Sequence, residues 1–136
     1  MIKVYYGTKG SGKTKAILKS ANNYLRESKG EVIFIEDSEQ LMYELPHQIR
    51  YIDISKFKTG CPKSLLGFIK GLIAGNYDVS RIYIDRTTHI TNSIPAGLED
   101  FFKELKELGK EYKVDFEVSI SGDEADTPRF LKEFIA

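Results

Sequence analysis

Residues 7–14 read GTKGSGKT, and this stretch decides the fold. It follows a short β-rich run at residues 2–6 and precedes a helix predicted over residues 13–27. The stretch matches the pattern G-x-x-x-x-G-K-[ST] at every fixed position, and that pattern is meaningful only between a strand and a helix, as here. The loop comprises Gly7, Thr8, Lys9, Gly10, Ser11, Gly12, Lys13 and Thr14.

This loop has the composition of a phosphate cradle. Glycines leave backbone N–H groups free to wrap a phosphate, and the N-terminus of the following helix adds partial positive charge. Lys13 would neutralise the outer phosphates, and Thr14 would offer its hydroxyl to Mg²⁺. The alternative is a glycine-rich turn in which the Lys-Thr pair is incidental. We expect the whole loop to bind the phosphates of a nucleotide.

At this loop the chain resembles the P-loop nucleoside triphosphatases. The resemblance implies a second element, a run of apolar residues that ends in an acid near the magnesium ion. Residues 81–85, RIYID, look like this Walker B strand. The resemblance assigns Asp85, together with Thr14, to the metal. The alternative makes Asp85 a turn or helix-capping residue.

The catalytic acid is the main departure from the family pattern. Many P-loop proteins carry a glutamate directly after the Walker B aspartate, and here that residue is Arg86. A RecA-like variant places the glutamate at the end of the second strand, where this chain has Glu36 or Asp37. We expect Lys13 and Glu36 to be the catalytic residues, with Glu36 orienting water. The alternative for Glu36 is a solvated strand end or a turn cap.

Other polar residues are secondary candidates. Ser119 and Ser121, at the end of the last strand, resemble the polar sensor of the same branch, and a simple turn would explain them equally well. Arg86 and Arg129 are candidates for an arginine that acts on a neighbouring subunit's phosphate. Neither histidine stands in a metal-ligand pattern, so both are expected at the surface.

The sequence favours ATP over GTP. It contains no Asn-Lys-x-Asp segment, which reads guanine in GTP-binding proteins. It also predicts no counterpart of the core strand whose flanking loop often covers the base in P-loop proteins. The expected cofactors are therefore ATP and Mg²⁺.

Apolar periodicity predicts the order β-α-β-β-α-β-α-β-α. This order indicates an α/β protein with three layers, α/β/α, around a mainly parallel sheet of about five strands. The resemblance implies the P-loop NTPase fold with a truncated RecA-like core. The predicted strands cover residues 2–6, 32–35, 51–54, 82–84 and 114–120. The predicted helices cover residues 13–27, residues 62–75, a stretch around 98–108 ended by Gly109, and a short final helix at 127–134.

Two features of the sequence depend on how the predicted elements pack. A RecA-like order puts the last strand between the first strand and the strand that ends at Asp85, where both faces should be apolar. Because Asp115 and Glu117 alternate along that strand, we expect them at its N-terminal end, within reach of solvent. Glycines recur at every fourth position of residues 67–75, and we expect this stripe to pack closely on the sheet, with self-association as the alternative.

Composition places the chain among ordinary globular proteins. Lys plus Arg and Asp plus Glu number 20 each among 136 residues, so the formal net charge is zero. One domain over residues 1–136 is expected at this length. Cys61 is the only cysteine, which excludes an intramolecular disulfide and favours the cytoplasm. No stretch is long and apolar enough to span a membrane, and the basic face of the first helix lacks the interleaved aromatic residues that favour nucleic-acid binding.

Most of the chain is also similar to a family of short bacterial P-loop proteins. The similarity runs from KVYYGTKGSGKTK through VIFIED and GFIKGLIAGNYDVSRIYID to VSISGD. Some members are labelled twitching-motility ATPases, but 136 residues are too few for the N-terminal domain and the acidic and histidine boxes of the pilus-retraction motor. This resemblance implies ATP binding and no established reaction. Together with the site residues it favours a Mg-ATP site and a weak or partner-activated ATPase, with a homo-oligomer or a protein partner completing the site. The alternatives are a small-molecule kinase and a non-catalytic, nucleotide-dependent interaction module.

Overall fold

The computed structural model describes residues 1–135, which form five strands and four α-helices. The strands are β1 (Ile2–Gly7), β2 (Glu31–Glu36), β3 (Arg50–Asp53), β4 (Val79–Ile84) and β5 (Asp115–Ser121). The helices are α1 (Lys13–Tyr24), α2 (Pro62–Gly75), α3 (Thr87–Thr91) and α4 (Glu99–Tyr112). Short 3₁₀ turns lie at Met42–Glu44, Ile54–Phe57, Pro95–Leu98, Glu124–Asp126 and Arg129–Leu131. None of these described helices has the length and apolar character needed to cross a membrane.

The five strands form one sheet in the order β1-β5-β4-β2-β3, and every pairing is parallel. The prediction of an α/β protein with a parallel sheet of about five strands is therefore confirmed. The last strand lies between the first strand and the strand before Asp85, as expected. Because the strands are parallel, their carboxyl ends and the loops that follow them meet along one edge of the sheet, where open α/β sheets bind ligands.

Helices cover both faces of the sheet. Side chains that follow one another along a strand point to opposite faces. In β4, Tyr83 packs with Ile17 and Ala21 of α1, whereas Ile82 and Ile84 belong to the larger core beneath α2 and α4. The layers are thus helix, sheet and helix, and α1, which begins directly after the glycine-rich loop, packs on the face that carries Tyr83.

The inner strand β5 carries two acids that find different surroundings. Asp115 lies at the N-terminal end of the strand, partly exposed, and pairs with Arg81 at 3.2 Å. Glu117 is only 2% exposed, so the expectation that it reaches solvent is wrong. Its carboxylate accepts hydrogen bonds from Arg81 at 2.6 Å, Tyr5 at 2.6 Å and Ser20 at 2.7 Å. These donors compensate the buried charge, which is why an acid is tolerated inside the sheet.

Two predicted helix ends are wrong. Helix α1 ends at Tyr24 rather than at residue 27. Helix α4 passes through Gly109 to Tyr112, and Lys113 terminates it in the left-handed region at φ 56°. Gly109 serves close packing instead of termination, because a Cβ atom there would lie 2.9 Å from the carbonyl oxygen of Val114.

The predicted final helix at residues 127–134 is also wrong, since only the turn Arg129–Leu131 forms. Beyond that turn the chain runs along the outer edge of β1. The Val4 N–H donates to the Phe134 carbonyl at 2.8 Å, and Val4 forms a parallel bridge with Ile135. The pairing gives the edge strand a hydrogen-bonding partner, and this gain competes with continuing a short helix.

The expected packing of the glycine stripe on the sheet is wrong as well. Helix α2 buries Leu65, Ile69 and Ile73, and the glycines lie on other positions of the helix surface. A Cβ atom at Gly67, Gly71 or Gly75 would have no described atom within 4 Å. The stripe therefore faces open space.

Candidate functional site

The glycine-rich loop wraps the space in front of α1. Gly10 and Gly12 lie at φ 86° and φ 91°, in the left-handed region that glycine adopts at little cost. The loop is closed by a hydrogen bond from the Ser11 N–H to the Thr8 carbonyl at 3.1 Å. Gly12 is the N-cap of α1, and the first turn of this helix contains no acidic residue. The positive end of the helix dipole is therefore not offset locally, which favours an anion.

Lys13 folds back over this loop. Its Nζ donates to the Thr8 carbonyl at 2.8 Å and lies 3.5 Å from the Ser11 hydroxyl. Burial lowers the pKa of Lys13, and the charge of Asp85 opposes that shift. Because both hydrogen-bond acceptors are neutral oxygens, an anionic ligand would be a stronger partner for this ammonium group.

Asp85 joins the second motif to the loop. It is 1% exposed, and its two carboxylate oxygens accept hydrogen bonds from the Thr14 hydroxyl at 2.9 Å and from the Ser119 hydroxyl. The Asp85 N–H donates to the Ile35 carbonyl at 3.0 Å, which fixes this residue beyond the end of β4. Thr14 and Asp85 are 71 positions apart in sequence and meet at one point.

The donor set fits Mg²⁺. Thr14 and Asp85 offer one hydroxyl and one carboxylate, both hard oxygen ligands. Among residues 1–135 there is no group of three or more His, Cys, Asp or Glu side chains that could hold a metal. Magnesium commonly takes one or two protein oxygens and fills its remaining positions with water and phosphate, so a pair suffices for it.

Two clefts flank the loop, each of about 650 Å³. The first lies between the loop and the ends of β4 and β5. Among the predicted site residues it is lined by Lys9, Gly10, Gly12, Lys13, Thr14 and Asp85, and Ser119 and Ser121 also line it. The other predicted loop residues, Gly7, Thr8 and Ser11, line the second cleft, whose opposite wall includes Glu124, Thr127 and Lys132.

Glu36 does not line the first cleft. It is 2% exposed and accepts a hydrogen bond from the Ser38 hydroxyl at 2.6 Å. The Tyr51 hydroxyl lies 3.4 Å from the same carboxyl and donates to the Ser38 carbonyl at 2.6 Å. Burial, followed by hydrogen bonding with Asp37, raises the pKa of Glu36 to about 7. Its Oε1 atom has no hydrogen-bond partner among the described residues. The carboxyl thus lies at the strand end that the sequence indicates, but its hydrogen-bonding neighbours are Ser38 and Tyr51 rather than the residues of the cleft.

An ion-pair cluster that the sequence does not predict lies next to Glu36. Asp37 accepts from the Arg86 guanidinium at 3.2 Å and contacts Nδ1 of His89. Burial raises the pKa of Asp37, but hydrogen bonding with Glu36 and the charges of Arg86 and His89 outweigh it, so that the pKa lies below its usual range. The available signal was an acid pair after β2 facing an Arg and a His after β4, because these two strands are neighbours.

Comparison with known proteins identifies no relative of this chain. The chain matches no protein-family model, and it matches no curated protein.

Proposed function

We propose that this protein binds ATP with Mg²⁺ on a P-loop domain with a truncated RecA-like core, and that hydrolysis is weak or depends on a partner. The observation that carries the proposal is the 2.9 Å hydrogen bond between Thr14 and Asp85. Glycine-rich turns and strand-end acids are each common. Their meeting on one cleft, next to a lysine and an uncompensated helix N-terminus, is what a magnesium-bound phosphate chain requires.

Each group has a definite role in this proposal. The N–H groups around Gly10 and Gly12 bind phosphate oxygens, and Lys13 exchanges the Thr8 carbonyl for the outer phosphates. Thr14 and Asp85 hold Mg²⁺, which neutralises charge on the bound phosphates. The strand order supports the RecA-like core, because β5 lies between β1 and β4.

The position of Glu36 supports a second candidate, a nucleotide-dependent interaction module without turnover. The Glu36 carboxyl contacts the hydroxyl groups of Ser38 and Tyr51. Glu36 does not line the cleft that Asp85 lines. Hydrolysis would need the carboxyl to turn towards the cleft. A second copy of the chain or a protein partner would supply the energy for that change. Dependence on ATP and a single cysteine are both consistent with a cytoplasmic protein.

Single-turnover phosphate release separates these functions. Purified protein in excess is mixed with radiolabelled ATP and Mg²⁺, with Glu36→Gln as the matched variant. Slow release that the substitution abolishes supports the ATPase. Bound ATP that stays intact in both proteins supports the interaction module. Transfer of label only when an acceptor is added would indicate a kinase.

A further inference from the structure

The residue after Asp85 has an unusual backbone conformation. Arg86 lies at φ 59° and ψ 44°, in the left-handed region, which costs a residue with a side chain roughly 1 kcal/mol. Its N–H donates to the Ser119 hydroxyl at 2.8 Å, and that hydroxyl in turn donates to Asp85. The hydrogen bond holds the turn in place. The side chain is thereby directed across the carboxyl end of β2, on the rim of the cleft that Asp85 lines.

The partners of the Arg86 guanidinium hold it only loosely. It donates to Asp37 at 3.2 Å and lies 3.9 Å from Oε1 of Glu36, beyond hydrogen-bond reach. The Arg86 side chain is 45% exposed, whereas that of Asp37 is 9% exposed, so solvent screens this ion pair from the arginine side. Asp37 also contacts His89, so it keeps a partner if Arg86 moves away.

A terminal phosphate would be a better partner than Asp37. The guanidinium is planar and matches two phosphate oxygens at once. Arg86 lines the same cleft as Lys13, Thr14 and Asp85, so one ligand can contact all of them. The other arginine singled out by the sequence, Arg129, lines a separate cavity beside α4.

We propose that Arg86 contacts the terminal phosphate of a nucleoside triphosphate bound to its own chain and makes the site select triphosphate over diphosphate. This inference rests on the proposed function. It assigns Arg86 to the cleft of its own chain rather than to that of a neighbouring subunit. Asp37 acts as the resting partner of the guanidinium while the terminal phosphate is absent.

Calorimetric titration of the whole chain tests the proposal. The probes are ADP and a non-hydrolysable ATP analogue, each with Mg²⁺. Arg86→Asn is the test variant, because asparagine is neutral and tolerates the left-handed region. Arg129→Gln is the matched control. Wild type and control should bind the triphosphate at least about tenfold more tightly than ADP, and Arg86→Asn should lose most of that ratio while its ADP affinity stays unchanged.

The outcomes are distinguishable. An unchanged ratio in Arg86→Asn overturns the proposal, and so does a wild type that binds both probes equally, although the proposed function then stands. A wild type that binds neither probe overturns the proposed function itself. Should Arg86→Asn fail to fold by circular dichroism, Asp37→Asn replaces it. Freeing the guanidinium in this way should raise triphosphate affinity severalfold without changing ADP affinity, and no rise contradicts the proposal.

Discussion

Two polar clusters lie under α1 at the same two strands. They differ in whether their buried carboxylate is paired with a cationic side chain. The inner cluster consists of Arg81 of β4 and Glu117 of β5, with Tyr5, Ser20 and Asp115 around them. The edge cluster lies a few residues further along the same strands and consists of Lys13, Thr14, Asp85 and Ser119. In the inner cluster a buried carboxylate meets a guanidinium, whereas in the edge cluster the carboxylate meets only hydroxyl groups.

This difference distinguishes a structural cluster from the proposed ligand site on the same face of the sheet. In the inner cluster the charges are paired within the protein: Arg81 also lies 3.8 Å from the centre of the Tyr24 ring, and burial raises the pKa of Tyr5 and of Tyr83 to about 12. Tyr5, Ser20 and Arg81 line a cleft of about 490 Å³, but the Glu117 carboxylate that they bind is only 2% exposed and does not line it. The edge cluster opens into a cleft and keeps Lys13 on neutral acceptors. The proposed function accounts for these charges, because a bound nucleotide and Mg²⁺ would complete them.

Breaking the inner pair should have the largest effect. Arg81→Met leaves the Glu117 carboxylate buried without its cation, which should lower the free energy of unfolding by about 3–5 kcal/mol. Urea denaturation followed by circular dichroism measures it. The double variant Arg81→Met with Glu117→Leu removes both charges and should recover most of the loss. A loss of less than about 1 kcal/mol in the single variant would show that the inner cluster is not structural.

The titration of Glu36 should make the free energy of unfolding depend on pH. Its pKa of about 7 lies above the ordinary 4.5, so between these values the folded chain binds more protons than the unfolded chain. Stability from this group is therefore present at low pH and is lost as pH rises through about 7. Glu36→Gln should remove that loss, roughly 1–3 kcal/mol, in unfolding experiments across the pH range.

The neighbouring carboxyl of Asp37 titrates in a different pH range, so its effect on stability can be told apart from that of Glu36. Its pKa is lowered from 3.8, so its contribution changes below that value, outside the window of Glu36. Identical pH profiles for wild type and Glu36→Gln above pH 4.5 would mean that Glu36 is not held in its protonated form by the fold.

The smallest effect on stability is expected at Asp85, where no cation is lost. Asp85→Asn should leave the free energy of unfolding without ligand within about 1 kcal/mol of the wild-type value or raise it, as at sites that trade stability for function. The gain in ATP affinity that Mg²⁺ provides should fall about tenfold, because a metal ligand loses its charge. Titrations with and without Mg²⁺ measure this gain, and an unchanged magnesium effect would remove Asp85 from the metal site.

The parts of the molecule that sequence predicts well are those decided by neighbours along the chain. The loop at residues 7–14, the apolar runs of the strands and the position of Asp85 are local patterns, and the parallel sheet follows from their alternation. The buried state of Glu117 was missed because its compensation comes from Arg81, and only the pairing register of β4 with β5 brings the two together.

The roles of the glycines depend on packing that the sequence does not show. The sequence predicts that Gly109 ends a helix, but this glycine makes room for the carbonyl oxygen of Val114. The sequence also predicts that the stripe containing Gly71 packs on the sheet, but the stripe faces outward. The contacts of Asp37 with Arg86 and His89 are not predicted from sequence because they are long-range and cross from the end of β2 to the residues that follow β4.

The most direct test of the Mg-ATP site is the thermal stability of wild type and Lys13→Ala with ATP and Mg²⁺. Ligand at about one hundred times its dissociation constant should stabilise wild type by about 2.7 kcal/mol, a rise of several degrees in Tm. Lys13→Ala should melt at the wild-type temperature without ligand and gain little from ATP. Equal stabilisation of both proteins by ATP, or none in wild type, would contradict the assignment of this loop.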